Sequence, residues 1–323
     1  MPAVDVLLVS LGSTAGLREA DDELAASLRR AGASVAVART APAHEWRTYA
    51  LIELAWARAA RRAALEGIAE HRPGALIYST VTAALLAPRR GAIRFDAPAA
   101  GNRPGRHGVW QRPLERRRLA AAPLLLPWSA GALAEAPAGH AEAIVVPVPV
   151  EPTAAGAPRD LAAITYGAHP DKKGLDRTLA AWRRVRLEGE ELVVAGLDGR
   201  DEPGVRFAGT LPRAEYRALV ARARVFVTAP RREDYGLAQL EALADGCVLV
   251  TAPAPGPYAA LPLARELDAR TVTGDLDAAL RVALDDPAPG YAARAAALLA
   301  PWRRDAIDAI VRDAVLPRLR PRP

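Results

Sequence analysis

Two glutamates around a glycine turn are the residues of this sequence best suited to chemistry. Glu233 and Glu241 lie eight positions apart in the segment RREDYGLAQLEALADGCVLVTAPAP, with Gly236 between them. Gly236 permits a tight turn, and a helix is expected to begin at Leu237. The first N–H groups of a helix have no partner within it, so those of Gly236, Leu237 and Ala238 would attract an anion such as phosphate. Both carboxylates would then border one bound ligand.

The two lysines of the chain are a second candidate. Lys172 and Lys173 are adjacent, and all the other residues among the 43 basic ones are arginines. Lysine is a compact point charge and arginine is a wide planar fork, so the two are not interchangeable. In a chain that uses arginine by default, we predict that at least one lysine of this pair binds a ligand.

Alternating apolar strands and helices are expected to position these groups. A predicted strand at 225–228 ends before Glu233, and another at 162–166 ends before the lysines. Further strands are predicted at 4–10, 34–38, 75–79, 92–96, 123–127, 143–148, 191–195, 205–208 and 248–251, and the longest helices at 47–70 and 291–319, the latter with a break at Pro301. Short apolar strands separated by helices are typical of parallel, doubly wound sheets, which bind ligands outside the carboxyl ends of their strands.

Length and proline content predict two domains. The 323 residues correspond to two domains at roughly 150 residues each, and the proline-rich stretch 147–158 is expected to link them. The predicted domains are 1–150 and 159–300, both Rossmann-like and facing a cleft.

Composition excludes several classes of protein. Hydrophobic residues make up 51% and charged residues 25%, which is ordinary for a globular chain. The single cysteine, Cys247, excludes a disulfide scaffold and a four-cysteine zinc site. No apolar run reaches the roughly 18 residues that span a bilayer, and the N-terminus lacks the basic lead of a signal peptide. We therefore expect a cytoplasmic protein.

The net charge of +6 favours small anionic ligands over nucleic acid. The arginines are spread along the chain, and no aromatic–basic stacking pattern accompanies them. The arginine run 116–118 is either a solvated helix face or a peripheral contact with a membrane surface. Asp21 and Asp22 are expected to be charges near the start of a helix.

Four segments carry a resemblance to a known family. The segment that contains Glu233 and Glu241 resembles the EGFGLxxLEAMAxGxPVV motif of retaining GT-B glycosyltransferases, family 4 in particular. The segments YGAHPDKKGL at 166–175, VVAG at 193–196 and VRFAGTL at 205–211 resemble three further segments of that family. All four occur in the family's order and with similar spacing, over 161–251.

This resemblance implies a function and a set of site residues. The protein would transfer a sugar from a nucleotide-diphosphate-sugar to an unidentified acceptor, with the donor on the second domain and the acceptor on the first. A C-terminal helix at about 302–319 would pack back onto the first domain. Lys173 would contact the donor diphosphate and Glu233 the hydroxyls of the transferred sugar, and these two are the expected catalytic residues. Glu241 would hold the ribose. The remaining donor contacts would come from the backbone of Gly236, Leu237 and Ala238, from Leu211 beside the base, and from Gly12 and Lys172.

The resemblance also implies that no metal and no other cofactor takes part. No Asp-x-Asp pair occurs in a suitable loop, and protein cations would stabilise the leaving diphosphate instead. On the acceptor side, the predicted fourth strand ends in Asp96, where the family often has a catalytic histidine. The other acceptor-side candidates are Asn102, Arg103 and His107.

One departure from the family pattern leaves alternatives open. The family usually has an arginine five residues before the lysine, and this chain has Ala168 there. Lys172 or His169 would have to compensate. Without compensation, a binding or scaffold protein that has lost catalysis becomes the alternative, and a nucleotide-sugar epimerase is a further one.

Overall fold

The computed structural model describes residues 3–41, 48–102, 105–140, 142–153 and 158–319, without the side chains of Tyr49, Ala100, Arg106 and His107. Within this part of the chain, ten strands form two parallel five-stranded sheets. The chain divides into two compact units, one of Met1–Pro149 with Arg304–Pro323 and one of Val150–Arg303.

Each unit contributes one sheet. The strands of the first unit are β1 (Val4–Ser10), β2 (Val35–Arg39), β3 (Pro73–Tyr78), β4 (Ala92–Phe95) and β5 (Leu125–Pro127). The strands of the second unit are β6 (Leu161–Tyr166), β7 (Leu192–Ala195), β8 (Val205–Gly209), β9 (Ala223–Thr228) and β10 (Val248–Thr251).

Helices connect the strands in both units. Those of the first unit are α1 (Ala15–Arg30), α2 (Tyr49–His71), α3 (Val81–Leu85), α4 (Ala99–Asn102), α5 (Gln111–Ala121), α6 (Ala130–Ala134), α14 (Arg304–Ile310) and α15 (Leu316–Leu319). Those of the second unit are α7 (Pro170–Lys173), α8 (Leu175–Val185), α9 (Arg213–Arg222), α10 (Leu237–Ala244), α11 (Ala260–Leu267), α12 (Leu276–Asp285) and α13 (Tyr291–Leu298). None of the helices in the described ranges has both the length and the apolar character that a membrane crossing requires.

Alternation along the strands builds a core on each face of the first sheet. Leu7 and Val9 of β1 lie in one buried cluster, and Val6 and Leu8 lie in another. Successive side chains of a strand point to opposite faces, so β1 is apolar on both sides. The strand order is β2-β1-β3-β4-β5, and the direction of winding reverses between β1 and β3.

The second sheet is wound in the same manner, with the order β10-β9-β6-β7-β8. The chain runs from β6 outward to β8, returns to pair β9 with β6, and continues to β10. The reversal between β6 and β9 leaves a crevice at their carboxyl ends, which is where doubly wound sheets bind ligands. The fold predicted from the sequence, two doubly wound parallel sheets, is confirmed.

The predicted strand at 143–148 is wrong. This segment runs beside β5, and the N–H groups of Ile144 and Val146 donate to the carbonyls of Leu125 and Pro127. Only an isolated bridge between Leu125 and Ala143 results. Pro127 has no N–H group to donate, so the ladder stops there.

The C-terminal segment packs on α1 of the first unit. Ile307, Val311 and Val315 are buried in the same cluster as Val6 and Leu8 of β1. Asp308 of α14 accepts hydrogen bonds from Ser27 at 2.5 Å and from Arg30 at 2.6 Å, both on α1. The segment is thus fixed to the first unit by apolar burial together with an ion pair.

Asp21 does not lie on the solvated start of its helix, which corrects the sequence-based expectation. Its side chain is fully buried; Ser10 donates to it at 2.6 Å, and Arg94 of β4 lies 3.4 Å away. Burial raises the pKa of Asp21, and the charge of Arg94 opposes that rise. Arg94 is itself buried, with its guanidinium 4.7 Å from the ring centre of Trp128.

Candidate active site

The lysine pair lies on the short helix α7, directly after β6. Pro170 occupies the first turn, where its missing N–H costs nothing, and Gly174 ends the helix with φ of 62°. A Cβ on Gly174 would lie 1.9 Å from the carbonyl oxygen of Ala229, at the end of β9. Only glycine permits this approach, which brings α7 against the loop that follows β9.

Glu233 lies on that loop, which a second segment holds from the other side. The N–H of Glu233 donates to the carbonyl of Pro255, and the N–H of Tyr258 donates to the carbonyl of Glu233. Gly256 has φ of 110°, and a Cβ there would lie 2.2 Å from the same carbonyl oxygen. The Glu233 backbone is therefore fixed by the turn after β10.

Lys173 and Glu233 meet across the crevice between β6 and β9. The Nζ of Lys173 lies 2.6 Å from Oε2 of Glu233, and the two side chains are 19% and 5% exposed. Gln239 of α10 donates to the same oxygen at 2.9 Å. The two expected catalytic residues, 60 positions apart in the chain, thus form one ion pair at the point where doubly wound sheets bind ligands.

A second ion cluster lies beside this pair and was missed by the sequence analysis. Asp234 is 8% exposed and bonds Lys172 through Oδ2 and Arg232 through Oδ1, the latter at 2.8 Å. Burial opposes the ionisation of Asp234, but the charges of Lys172 and Arg232 outweigh it, so its pKa lies below the ordinary value. Asp234 therefore carries a full negative charge at neutral pH.

The start of α10 faces the same loop. Gly236 has φ of 86° and precedes Leu237, the first helical residue, as predicted. Leu237 and Ala238 are partly exposed, and their N–H groups belong to the first turn of the helix. These groups and the helix dipole favour an anion here.

Glu241 lies further along α10 and is buried under two arginines of α9. Arg213 donates to Oε1 of Glu241 at 2.6 Å, and Arg217 lies 3.7 Å from the same oxygen. Arg217 also bonds Asp245 at 2.8 Å. Tyr216 packs edge-on against Tyr166, and burial together with the charge of Glu241 raises its pKa. The sequence signal for these ion pairs is the presence of Arg213 and Arg217 at positions i and i+4 of α9, on one face of the helix.

Leu211 lies in the turn between β8 and α9, partly exposed. It lines a cavity of about 300 Å³ whose walls come from β8, this turn and α9, through Arg206, Ala208, Glu215, Ala218, Leu219 and Arg222. Contact of Leu211 with a base stays a prediction.

The candidates of the first unit lie after β1 and β4. Gly12 has φ of 58°, and its carbonyl accepts a hydrogen bond from Arg18 at 2.7 Å. Asp96 follows β4 half-buried, and Asn102 ends α4. Arg103 and the side chain of His107 lie outside the described residues. Asp96 therefore follows the carboxyl end of a strand, as predicted, and Asn102 lies in a short helix where the sequence predicted a loop.

Ala168 and His169 occupy the turn between β6 and α7. Ala168 is partly exposed, and His169 is exposed with φ of 58°, a left-handed conformation that is uncommon outside glycine. Within the described ranges, no three His, Cys, Asp or Glu side chains come together in a way that could hold a metal ion.

Comparison with known proteins gives a family match within the second unit. Residues 161–300 match the model of a family described as Glycosyl transferases group 1. A comparison with curated proteins gives no match.

Solved structures of glycosyltransferases share the fold. Sucrose-phosphate synthase from Thermosynechococcus elongatus gives a TM-score of 0.70 at 15% identity, over 94% of this chain and 96% of that chain. WaaG, a glycosyltransferase involved in lipopolysaccharide biosynthesis, gives 0.68 at 14% identity, over 96% and 100%. An α,α-trehalose-phosphate synthase (UDP-forming) from Burkholderia xenovorans gives 0.63 at 14% identity, over 83% and 78%. The chain therefore has the GT-B fold, and most of its second unit matches the group 1 glycosyltransferases.

Proposed function

We propose that the protein is a retaining glycosyltransferase that transfers a sugar from a nucleotide-diphosphate-sugar to an acceptor. The observation that carries the proposal is the Lys173–Glu233 pair at the crevice between β6 and β9, in the unit whose sequence matches group 1 glycosyltransferases. A cation and a buried carboxylate there suit a ligand with one anionic part and one hydroxyl-rich part. A sugar diphosphate has both.

In this proposal each group of the site has a separate task. In sugar transfer the nucleoside diphosphate leaves, and negative charge develops on its outer phosphate. Lys173 and the N–H groups at the start of α10 would stabilise that charge through fixed donors in a partly buried site. Glu233, held by Gln239, would accept hydrogen bonds from the sugar hydroxyls.

Glu241 would bind the ribose hydroxyls in this scheme. Its carboxylate is 3% exposed and is held by Arg213 and Arg217, so it is fixed before a ligand arrives. The leaving phosphate can itself take the proton of the acceptor on the same face of the sugar. Retention therefore needs no separate side-chain base. Asp96 and Asn102 of the first unit stay candidates for acceptor binding.

Donor identity is best tested first with uridine nucleotides. One protein with this fold is described as UDP-forming, and another was solved with UDP-2-fluoro glucose. A trehalose-6-phosphate synthase with this fold is described in connection with enzymatic glycosyl transfer with retention. These descriptions support the choice of UDP and UDP-sugars as the first probes.

The test is a melting-temperature panel with UDP, GDP, ADP and dTDP and their common sugar conjugates, with and without EDTA. A ligand that binds only the native state raises Tm by mass action. We expect one nucleotide to stabilise the wild type, regardless of EDTA, and to have little effect on Lys173→Ala. The absence of any shift with every nucleotide would contradict the proposal.

Ala168 favours a second candidate, a binding protein that has lost catalysis, because the arginine that the resemblance implies is missing there. That candidate predicts a Tm shift with a nucleotide but no release of nucleoside diphosphate from its sugar conjugate. Sugar transfer predicts both.

A further inference from the structure

The two side-chain hydrogen bonds that the Glu233 carboxylate accepts end on the same oxygen. Lys173 donates to Oε2 at 2.6 Å, and Gln239 donates to Oε2 at 2.9 Å. The other oxygen, Oε1, has no hydrogen-bond partner within the described residues. An ionised carboxylate accepts hydrogen bonds on both of its oxygens. Oε1 is therefore the oxygen of Glu233 that is left for a ligand.

The contact with Glu233 fixes the orientation of the Gln239 amide. Gln239 lies on the first turn of α10 and is 1% exposed. A carboxylate can only accept, so the amide nitrogen must face Glu233 and the amide oxygen must point away from it. That oxygen is buried and has no hydrogen-bond partner in the part of the chain that the structure describes. An unpaired buried acceptor costs stability, so the contact that the amide gains is the one to Glu233.

Tyr258 encloses the amide on its other side. A Cβ on Gly236 would lie 2.9 Å from the ring of Tyr258 and 3.5 Å from Oε1 of Gln239, so both groups pack against this turn. Tyr258 is 2% exposed, its hydroxyl bonds Oγ1 of Thr251 at 2.7 Å, and its backbone N–H donates to the carbonyl of Glu233 at 3.3 Å. The amide therefore cannot turn its nitrogen away without bringing its oxygen against a carboxylate.

We propose that Gln239 is a positioning residue that, together with Lys173, holds Oε2 of Glu233 and so directs Oε1 at the nucleotide sugar. This inference rests on the proposed function. Lys173 is also expected to contact the diphosphate, so the phosphates compete with Glu233 for its ammonium. Gln239 is neutral and buried, so the phosphates leave its hydrogen bond to Glu233 intact. The carboxylate thus keeps its orientation while charge develops on the leaving group.

The first test compares Gln239→Leu with the wild type in two measurements. One is titration calorimetry with the nucleoside diphosphate that binds the wild type most tightly among UDP, GDP, ADP and dTDP. The other is the release of that diphosphate from its sugar conjugate, with water as acceptor. The affinity should be unchanged, and kcat for release should fall about 10- to 100-fold, the order of one hydrogen bond to a charged group. An equal loss in both measurements would indicate a structural role alone and overturn the proposal.

Gln239→Glu is a second test, in which the side chain keeps its size. The introduced carboxyl group can donate to Glu233 only when it is protonated, and two adjacent carboxyl groups share a proton more readily as the pH falls. Release by this variant, relative to the wild type at the same pH, should therefore recover toward lower pH, whereas Gln239→Leu should not recover. The charges of Lys172, Lys173 and Asp234 are common to all three proteins. A constant ratio to the wild type would contradict hydrogen-bond donation from this position.

Gln111→Leu is the matched control. Gln111 of α5 is also 1% exposed and also has an unpaired Oε1, but it belongs to the first unit. Its replacement removes the same kind of buried amide and should leave release unchanged. Equal slowing in Gln111→Leu and Gln239→Leu would show that the loss does not depend on Glu233, and would overturn the proposal.

The outcomes distinguish the two proposals. If the wild type releases a diphosphate and Gln239→Leu releases it at the same rate, the positioning role is refuted and the proposed function stands. If the wild type releases no diphosphate from any of the conjugates, the proposed function fails and this inference fails with it.

Discussion

Replacing Lys173 and replacing Glu233 should have opposite effects on the affinity for a nucleoside diphosphate. Lys173→Ala removes a cation and leaves the buried carboxylate of Glu233 with the hydrogen bond from Gln239. Breaking a buried pair costs about 3–5 kcal/mol. We expect Lys173→Ala to lower the free energy of unfolding by about 1–3 kcal/mol. The loss is smaller than for a fully buried pair because Lys173 is 19% exposed and the hydrogen bond from Gln239 to Glu233 remains. The lost phosphate contact should weaken nucleoside diphosphate binding about 10- to 100-fold.

Glu233→Gln should leave nucleoside diphosphate binding unchanged or strengthen it, up to about tenfold. The amide keeps the shape and one acceptor for Lys173, and it removes a negative charge beside the phosphates. Release of the diphosphate from its sugar conjugate should nevertheless fall by about a hundredfold, since a fixed charged contact to the reacting sugar is lost.

The assay is calorimetry with the nucleoside diphosphate, paired with a release assay on its sugar conjugate. Arg184→Ala is the control, because it breaks the exposed pair with Asp277 in the same unit and should leave both measurements unchanged. A salt bridge with only a structural role would weaken binding in both variants alike. That result would refute the assignment of separate ligand contacts to the two residues.

Three further predictions concern stability. Gly174→Ala should lower the free energy of unfolding by more than about 2 kcal/mol, because its Cβ would lie 1.9 Å from a backbone oxygen and its φ is positive. Gly189→Ala, also at positive φ but with open space around the Cβ, should lower it by about 1 kcal/mol in the same urea titration. Equal losses in the two variants would contradict the packing argument. The hydrogen bond from Arg30 outweighs desolvation and lowers the pKa of Asp308 below its ordinary value, so ionised Asp308 stabilises the fold; Asp308→Asn should cost about 1 kcal/mol at pH 7, and the difference should vanish as the pH falls through that lowered pKa. Arg94→Met should destabilise the protein by about 3–5 kcal/mol at pH 7, because Asp21 stays buried without its cation. Since burial already raises the pKa of Asp21, protonation should shrink that loss as the pH falls through the raised pKa, and a loss independent of pH would contradict this reasoning.

The sequence predicted most of what depends on local pattern. The apolar run 248–251 forms a strand with those bounds, and α10 begins at Leu237 after a glycine at positive φ. These features depend on neighbouring residues, which sequence patterns describe directly. The strand predicted at 143–148 was wrong because its pairing depends on Pro127 of another segment, which cannot donate a hydrogen bond.

Contacts between distant residues were beyond the reach of these patterns. Asp21 looked like a helix-start charge, but its buried partner Arg94 is 73 positions away. The sequence analysis did not identify Asp234, because its partner Lys172 is 62 positions away in the chain. Arg213, one of the two arginines over Glu241, comes from a different helix, 28 positions earlier in the chain. The resemblance named candidate ligand contacts, and the structure adds the residues that hold them.

Release of nucleoside diphosphate from its sugar conjugate, followed by ³¹P NMR for the wild type and Glu233→Gln, tests the central claim most directly. The conjugate that stabilises the wild type in the melting panel is the substrate, with water or added sugars as acceptors. We expect the wild type to release the diphosphate and Glu233→Gln to bind the conjugate but release it about a hundredfold more slowly. Binding by the wild type without any release, or equal rates for the two proteins, would contradict sugar transfer at the Lys173–Glu233 pair.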